Sequence, residues 1–419
     1  MRTMLAAWVL VAMTAASARS ETKMSDGDAS FAAALHGKLR GERGNLFYSP
    51  ASVRIAMAMA AAGARGATAT EMHAALALPP GDAAHVAFGK LLADWASMAT
   101  PPMRGTQSTD AQTQKWQEEE AEHQRVILRV ANRLWAQAGH KFRDEFLKIL
   151  RDDYHAPLGT VDFQKDAEGA RGTINKWVSD ATEHKIRELI AHGMLTSNTK
   201  LVLTNAIYFK AHWDEEFNAS ATKTQPFFTG DGRDVKVPLM RRIDRFALAR
   251  VDGAMMAELP YGAGRLVMDV VLPTAVDGIA KVEDAYVKGA MAKWTAALSS
   301  ARVDLMLPKF HASSSFSLGD KLKELGMPRA FAYPDADFSG IDGGHDLFIG
   351  AVVHQAFVDV DEHGTEAAAA TAVMMKAGSA MQQDQPIEFR ADHPFLFFIR
   401  DRTTGVVLFA GRLSDPSAK

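Results

Sequence analysis

Asp361–Gln385, with the sequence DEHGTEAAAATAVMMKAGSAMQQDQ, is the stretch on which the interpretation of the whole chain depends. It lies between two apolar runs, Phe348–Val360, which alternates as a strand does, and Phe395–Ile399. A connection this long inside a compact domain is usually functional or disordered, and the composition is not that of a disordered linker. We therefore expect the stretch to carry function.

The side chains of this stretch alternate between two faces if the backbone is extended. One face would carry Thr365, Ala367, Ala369, Thr371 and Val373, and the other Glu366, Ala368, Ala370 and Ala372. Gly364 precedes them as a flexible pivot. The segment could thus enter a sheet with small side chains inward and Glu366 outward. The run Glu-Ala-Ala-Ala-Ala also favours a surface helix, and the sequence leaves both interpretations open.

Composition limits the function classes. With 419 residues, 47% of them hydrophobic, the chain can bury a large core as one domain or several smaller ones. The net charge of -3 gives no reason to expect a nucleic-acid partner. The absence of cysteine excludes disulfides, thiol catalysis and thiolate metal sites.

The N-terminus has the three parts of a secretory signal peptide. Arg2 is followed by the apolar run Met4–Met13 and by Ala16-Ser17-Ala18, small residues suited to cleavage. A membrane anchor would need about 20 apolar residues, so a signal peptide over residues 1–18 is the better interpretation. The sequence predicts export, to the extracellular space or to a bacterial periplasm, and no association with a membrane.

The order of predicted elements points to an α+β fold. Helical periodicity dominates the first half and strand-like runs the second, without alternating β-α-β units. Residues 97–124 are polar and rich in Gln, Ser, Thr and Glu, and they predict a flexible insertion.

Motifs for catalysis are missing from the sequence. It contains no G-x-S-x-G elbow, phosphate-binding loop, dinucleotide fingerprint or H-E-x-x-H helix, and its 14 histidines lack paired ligand spacing. We therefore expect no enzyme activity, no metal site and no cofactor.

Several short segments nevertheless occur in an order and spacing that chance would rarely produce. They are Asn45–Ser52, Asn132–Leu134, Ile174–Trp177 with Thr182 and Lys185–Ile186, Leu203–Trp213, Glu258–Tyr261, Leu307–Phe310, Asp361–Thr371 and Phe389–Ile399. Together they resemble the serpins, the serine protease inhibitor superfamily, over residues 25–417. The resemblance implies one α+β domain of three β-sheets and about nine α-helices, with 361–385 as hinge and exposed reactive-centre loop.

The resemblance also implies a mechanism in which the protein supplies no catalytic residue. A target protease cleaves the loop and is acylated, and the freed loop inserts as a new middle strand of the main sheet, dragging the protease with it. The implied partner is a serine protease in a covalent complex, with a cysteine protease as a second class of target. The inhibitor is expected to be monomeric.

Individual site residues follow from the same resemblance. The hinge would comprise Gly364, Thr365, Glu366, Ala367, Ala368, Ala369, Ala370 and Thr371. Ser49, Ser52, Asn205 and His354 match the "shutter", the polar cluster where the main sheet opens. Trp213 and Glu362 match the "breach" at the top of that sheet. A satisfied core polar group, or a plain core tryptophan, is the alternative at each position.

The scissile bond follows from counting along the loop. Counting forward from the hinge gives Gly378-Ser379, whereas counting back from Phe389 gives Ala380 or Met381 before the cut. Lys376 is the only basic residue in the loop and allows trypsin-like cleavage. We favour Gly378, which predicts an elastase-like or subtilisin-like protease as target.

Two further expectations complete the interpretation. The predicted helix His85–Trp95 carries only Lys90 as a base, so heparin-type activation is not expected. The alternative function is that of a non-inhibitory serpin, a carrier, chaperone or storage protein. Such members tend to have bulky, charged or proline-containing hinges, which this chain lacks.

Overall fold

A computed structural model describes residues 25–79, 81–100, 110–365 and 385–418. These residues do not include the predicted signal peptide, most of the predicted reactive-centre loop or any of the candidate positions of the scissile bond. Among the described residues, no helix has the length and apolar character needed to cross a membrane.

The α-helices lie mainly in the first half of the chain, as predicted. The helix α1 covers residues 25–39. The others are α2 (Pro50–Ala61), α3 (Gly66–Ala75), α4 (Ala83–Ser97), α5 (Ala111–Gln124), α6 (Asp144–Asp152), α7 (Ala167–Ala181), α8 (Ile279–Val287), α9 (Met291–Ala296), α10 (Gly319–Glu324) and α11 (Ser339–Asp342). The described residues thus hold two helices more than the nine expected; α5 belongs to the insertion and α11 is a single four-residue turn.

The strands follow mainly in the second half. They are β1 (Leu46–Tyr48), β2 (Val126–Gln137), β3 (Gly159–Val161), β4 (Leu201–His212), β5 (Lys223–Phe228), β6 (Asp234–Val251), β7 (Ala254–Pro260), β8 (Leu266–Pro273), β9 (Ser299–Pro308), β10 (Phe310–Ser317), β11 (Ile349–Val360), β12 (Gly364–Thr365), β13 (Ile387–Arg390), β14 (Phe395–Asp401) and β15 (Val407–Leu413). The α+β class is confirmed.

Hydrogen bonding arranges the strands in a six-stranded and a nine-stranded sheet. The six-stranded sheet has the order β10-β11-β12-β4-β2-β3. The larger sheet falls into two parts that share the long strand β6, whose first residues pair with β5 and β9 and whose last residues pair with β7. The described residues therefore form three sheet regions, as the fold prediction required.

The six-stranded sheet is covered on both faces. One face packs against the main core, which includes Ile207, Phe209 and Ala211 of β4. The other packs on α7, where Ile174 and Val178 form a second core. Because both faces are buried, β4 is apolar along almost its whole length.

The insertion differs from the prediction of a flexible loop. Within residues 97–124, α4 continues to Ser97 and α5 occupies Ala111–Gln124. The Asp110 side chain caps α5 by accepting from the backbone N–H of Thr113 at 2.9 Å. The run of glutamates, interpreted from the sequence as a solvated loop, is instead compatible with a helix because glutamate is a good helix former.

Candidate functional site

The boundary between strands β4 and β11, called the seam below, differs in its strand pairing from one end to the other. In the lower part they pair directly and parallel, from Ile349 opposite Leu201 to Ala356 opposite Ile207. Above that point the two strands are separated by β12, which pairs antiparallel with both. Gly364 and Thr365, the two hinge residues that the structure describes, therefore already occupy the upper end of a gap between the two central strands.

The two hinge residues in this gap are closely packed. Gly364 lies opposite His212 with φ of 150°, and a Cβ atom there would meet the Ala211 carbonyl oxygen at 2.2 Å. Thr365 is fully buried, and its hydroxyl lies 2.8 Å from the hydroxyl of Tyr261. Only glycine followed by a small side chain fits this entry point. The other predicted hinge residues, Glu366–Thr371, lie outside the described residues.

Trp213 lies beneath the hinge and holds its backbone. The indole N–H donates to the Asp361 carbonyl at 2.9 Å, and the backbone N–H of Trp213 donates to the His363 carbonyl at 2.9 Å. The ring stacks on Tyr261 with centroids 4.4 Å apart. Trp213 is thus a core residue that also positions the segment leading into the gap.

Glu362 lies at the same end of the sheet, with its backbone carbonyl accepting from Phe217. Its carboxylate accepts from the Lys309 ammonium at 2.7 Å and from the Thr222 hydroxyl at 2.8 Å. Burial favours the neutral carboxyl, but these hydrogen bonds outweigh it and hold the pKa of Glu362 below its usual value. The sequence motif that contains Lys309 was recognised, but its pairing with Glu362 was not predicted.

The four predicted shutter residues lie together at the lower part of the seam. Asn205 donates to the Ser52 hydroxyl at 2.7 Å and is bonded to His354, its cross-strand partner. Ser49 donates its backbone N–H to His354 Nε2 at 3.0 Å. All four side chains are fully buried, so the cluster is a closed hydrogen-bond network.

Asn132 is a fifth member that sequence reasoning missed. Its side-chain oxygen accepts from Ser52 at 3.0 Å and from Asn205 at 2.6 Å, and its amide donates to the Ser52 carbonyl. It lies directly opposite Asn205 on β2. The network therefore spans three adjacent strands, which linear spacing could not show.

His354 is neutral in this network. Burial lowers its pKa to about 3. Because Nε2 accepts the Ser49 N–H, the ring proton lies on Nδ1 and is donated to Asn205. A protonated ring would leave the Ser49 N–H facing a second donor, so the network requires the neutral form.

A cluster of histidines beside the hinge was also missed. His123 of α5, His212 of β4 and Glu216 offer ligand atoms that all lie within 4.8 Å of one another. His363 of the hinge segment bonds to the second carboxylate oxygen of Glu216 at 2.8 Å. The sequence contained no sign of this cluster, because its members are separated by up to 240 residues, from His123 to His363.

Comparison with known proteins identifies the fold and its family. The model of the family described as serpin, or serine protease inhibitor, matches residues 26–416. The chain belongs to the serpin family. A serpin-like protein of Thermococcus kodakarensis, described as uncharacterized, is 39% identical over 92% of this chain and 84% of its own length.

Two further relatives are informative for this serpin. Human leukocyte elastase inhibitor is 38% identical over 89% of this chain and 93% of its own length. Among solved structures, Serpin48 of the insect Tenebrio molitor, described as a highly specific serpin, superposes with a TM-score of 0.78 at 29% identity. That superposition covers 93% of this chain and 97% of the insect protein. The family resemblance seen in the sequence is confirmed, and the family is one of protease inhibitors rather than enzymes.

Proposed function

We propose that this serpin is a secreted inhibitor of serine proteases that acts as a suicide substrate. The observation that carries the proposal is the position of Gly364 and Thr365, which pair antiparallel with β4 on one side and, through Thr365, with β11 on the other. A strand that continued from Thr365 would separate the two central strands along their seam. That is the insertion on which family-type inhibition depends.

The observed register defines how such a strand would pair. Thr365 lies opposite Ala211 and Val360. Because antiparallel partners change by one residue at each step, Thr371 would face both Asn205 and His354. The inward side chains after Thr365 would be Ala367, Ala369, Thr371 and Val373, facing the main core. This is the small, uncharged face that the sequence pattern predicts.

The length of β4 matches the length of the loop. β4 continues for ten residues from Ala211 back to Leu201, so residues 366–375 would each have a partner. At about 0.5–1.5 kcal/mol for each added backbone hydrogen bond, a strand of this length could yield on the order of 10 kcal/mol. This is comparable with the whole stability of a domain, so insertion could trap a protease irreversibly.

The target we propose is an elastase-like or subtilisin-like serine protease that cleaves Gly378-Ser379. The small residues Ala377, Gly378, Ser379 and Ala380 suit the small pocket of such enzymes, and a relative carries the name leukocyte elastase inhibitor. The protease serine would attack the Gly378 carbonyl, the bond to Ser379 would break, and the ester would persist while the loop inserts. Export through the signal peptide would bring this monomeric inhibitor to extracellular or periplasmic proteases.

A protease panel tests the proposal. Elastase and subtilisin are expected to form a complex that survives boiling in detergent, with release of a fragment that begins at Ser379 by mass spectrometry. Trypsin serves as the contrast, since it would cut after Lys376. Turnover by every protease without a stable complex would refute inhibition, whereas a complex with trypsin alone would refute only the proposed bond.

The melting temperature distinguishes the non-inhibitory alternative. If cleavage allows insertion, the cleaved protein gains a strand and melts well above the native protein. A carrier, chaperone or storage serpin that does not insert its loop would show no rise.

A further inference from the structure

Four side chains from separate parts of the chain meet beside the hinge. His123 lies in the last turn of α5, His212 ends β4, Glu216 follows in the next loop, and His363 precedes the hinge glycine. Their side chains are between 12% and 31% exposed. Three imidazoles around one carboxylate, half-buried but open to solvent, are a composition typical of transition-metal sites.

We propose that His123, His212 and Glu216 bind a divalent transition-metal ion, for which Zn²⁺ is the best candidate. Imidazole nitrogen and carboxylate oxygen are ligands that zinc prefers, and three protein ligands leave a fourth position for water. Calcium and magnesium prefer sites built from oxygen alone, so neither fits this ligand set.

The distances between the ligand atoms fit one ion. Two ligands bound to a tetrahedral zinc at about 2.0–2.1 Å lie roughly 3.3–3.5 Å apart. Glu216 Oε1 lies 3.3 Å from His212 Nδ1 and 3.9 Å from His123 Nδ1. The two imidazole rings have their centroids 5.4 Å apart. Small rotations of side chains that are partly open to solvent would bring all three atoms onto an ion.

Partners around the cluster orient the ligands as those of a metal site usually are. His123 Nε2 lies 3.3 Å from the Asp214 carbonyl oxygen, to which it can donate, so its Nδ1 lone pair is left facing Glu216. His363 Nδ1 lies 2.8 Å from Glu216 Oε2, which leaves Oε1 for the ion. Metal-bound histidines and carboxylates typically have such hydrogen bonds on the atom that does not bind the metal.

The position of α5 makes this site specific to the insertion. The insertion closes at its base, where Val126 N–H donates to the Met98 carbonyl. Its last residue, Gln124, packs so closely on Gly262 that a Cβ atom there would meet the Gln124 carbonyl oxygen at 3.0 Å. Gly262 in turn donates to the His212 carbonyl. A bound ion would therefore link the inserted helix to the strand end and, through Glu216 and His363, to the hinge.

Zinc titration of the metal-free full-length protein at pH 7.5 tests the site without any protease. We expect ZnCl2 to bind with one high-affinity site per chain and to raise the melting temperature, and MgCl2 or CaCl2 to do neither. His123→Ala should weaken zinc binding by at least about 10- to 100-fold and abolish the rise. Glu216→Gln, which keeps the side-chain volume, should do the same.

The matched control is His192→Ala, which removes an imidazole that is 82% exposed and lies beside Glu168 of α7. It should bind zinc as the unmodified protein does. Strong visible absorption of bound Co²⁺, typical of tetrahedral sites, gives a measurement that needs no variant. Full zinc affinity in His123→Ala and Glu216→Gln proteins that melt normally without metal would overturn the proposal, as would the absence of binding in the unmodified protein. Because none of these measurements involves inhibition, the site stands or fails separately from the proposed function.

Discussion

Replacing Thr365 by arginine would test the insertion mechanism at the residue where it begins. The Thr365 side chain is fully buried, lies between Ala211 and Val360, and bonds to the Tyr261 hydroxyl at 2.8 Å. An arginine in this pocket would bring a charge among aromatic and aliphatic groups and would exceed the available volume. Thr365→Arg should therefore keep the hinge out of the gap, and cleavage should continue while insertion is slowed.

The magnitude follows from the cost of a buried charge. An unpaired charge in a protein interior costs several kcal/mol, and about 4 kcal/mol is a moderate value. If about half of this cost is present when the strand begins to enter, the barrier rises by about 2 kcal/mol and insertion slows by about 30-fold. The ester that joins the protease to the cleaved loop then has time to hydrolyse, and the protease escapes. The number of inhibitor molecules consumed for each protease inactivated exceeds one by the ratio of the hydrolysis rate to the insertion rate, so a value of about 1.3 should rise to about 10.

The assay compares this stoichiometry for the unmodified protein and three variants. Thr365→Ser keeps the hydroxyl and should inhibit normally. Glu366→Arg adds the same charge at the next residue, whose side chain the alternation assigns to the opposite face, and should retain most inhibition. If Thr365→Arg inhibits as efficiently as the unmodified protein, or if both arginine variants fail equally, the proposed register is wrong.

Three further predictions concern the same sheet. Gly364→Ala should slow insertion of the loop and raise the inhibition stoichiometry, because the added Cβ atom would meet the Ala211 carbonyl oxygen and the residue has a positive φ. The control in the same protease titration is Gly44→Ala, since Gly44 also has a positive φ but has no atom near the added Cβ. Glu362→Gln should lower the free energy of unfolding by only about 1 kcal/mol, because Lys309 is partly exposed and solvent screens its charge. A loss above about 3 kcal/mol would contradict this screening of the ion pair by solvent. Stability should fall as pH falls from 6.5 towards 3, by about 1.4 kcal/mol per unit from His354 alone, because the unfolded chain binds the proton that the folded ring rejects. Melting of His354→Gln should show a flatter acid dependence.

The sequence predicted the parts of the fold that depend on local pattern. The alternating run that forms β11 was recognised, since a strand with one face more buried than the other has a period of two in its hydrophobic residues. The insertion helix α5 was not predicted, because its polar composition resembles that of a solvated loop. A polar helix that contacts the protein along one narrow face shows little hydrophobic periodicity in its sequence.

The residues of the candidate site also fall into those that the sequence predicted and those that only the structure revealed. The family resemblance pointed to Ser49 and His354, but the role of Asn132 and the Lys309–Glu362 pair emerged only from the fold. The histidine cluster beside the hinge had no signal, since its ligands come from elements that no motif connects. Contacts between distant segments depend on sheet register and strand ends, which a single sequence does not encode in any local spacing.

The buried polar network lies where β4 and β11 would have to separate for the loop to insert, and its polarity suits that separation. Apolar side chains would hold β4 and β11 together equally well, but they would offer an incoming strand no exchange of partners. In the proposed register Thr371 would face Asn205 and His354, so its hydroxyl could take over hydrogen bonds that the opening breaks. Thr371→Val should therefore leave the native melting temperature unchanged but leave a buried polar group unsatisfied after insertion, at a cost of about 1–3 kcal/mol. The cleaved Thr371→Val protein should melt below the cleaved unmodified protein, whereas the cleaved Thr371→Ser protein, which keeps the hydroxyl, should melt close to the unmodified one. Equal melting of all three cleaved forms would show that the network does not pair with the inserted strand.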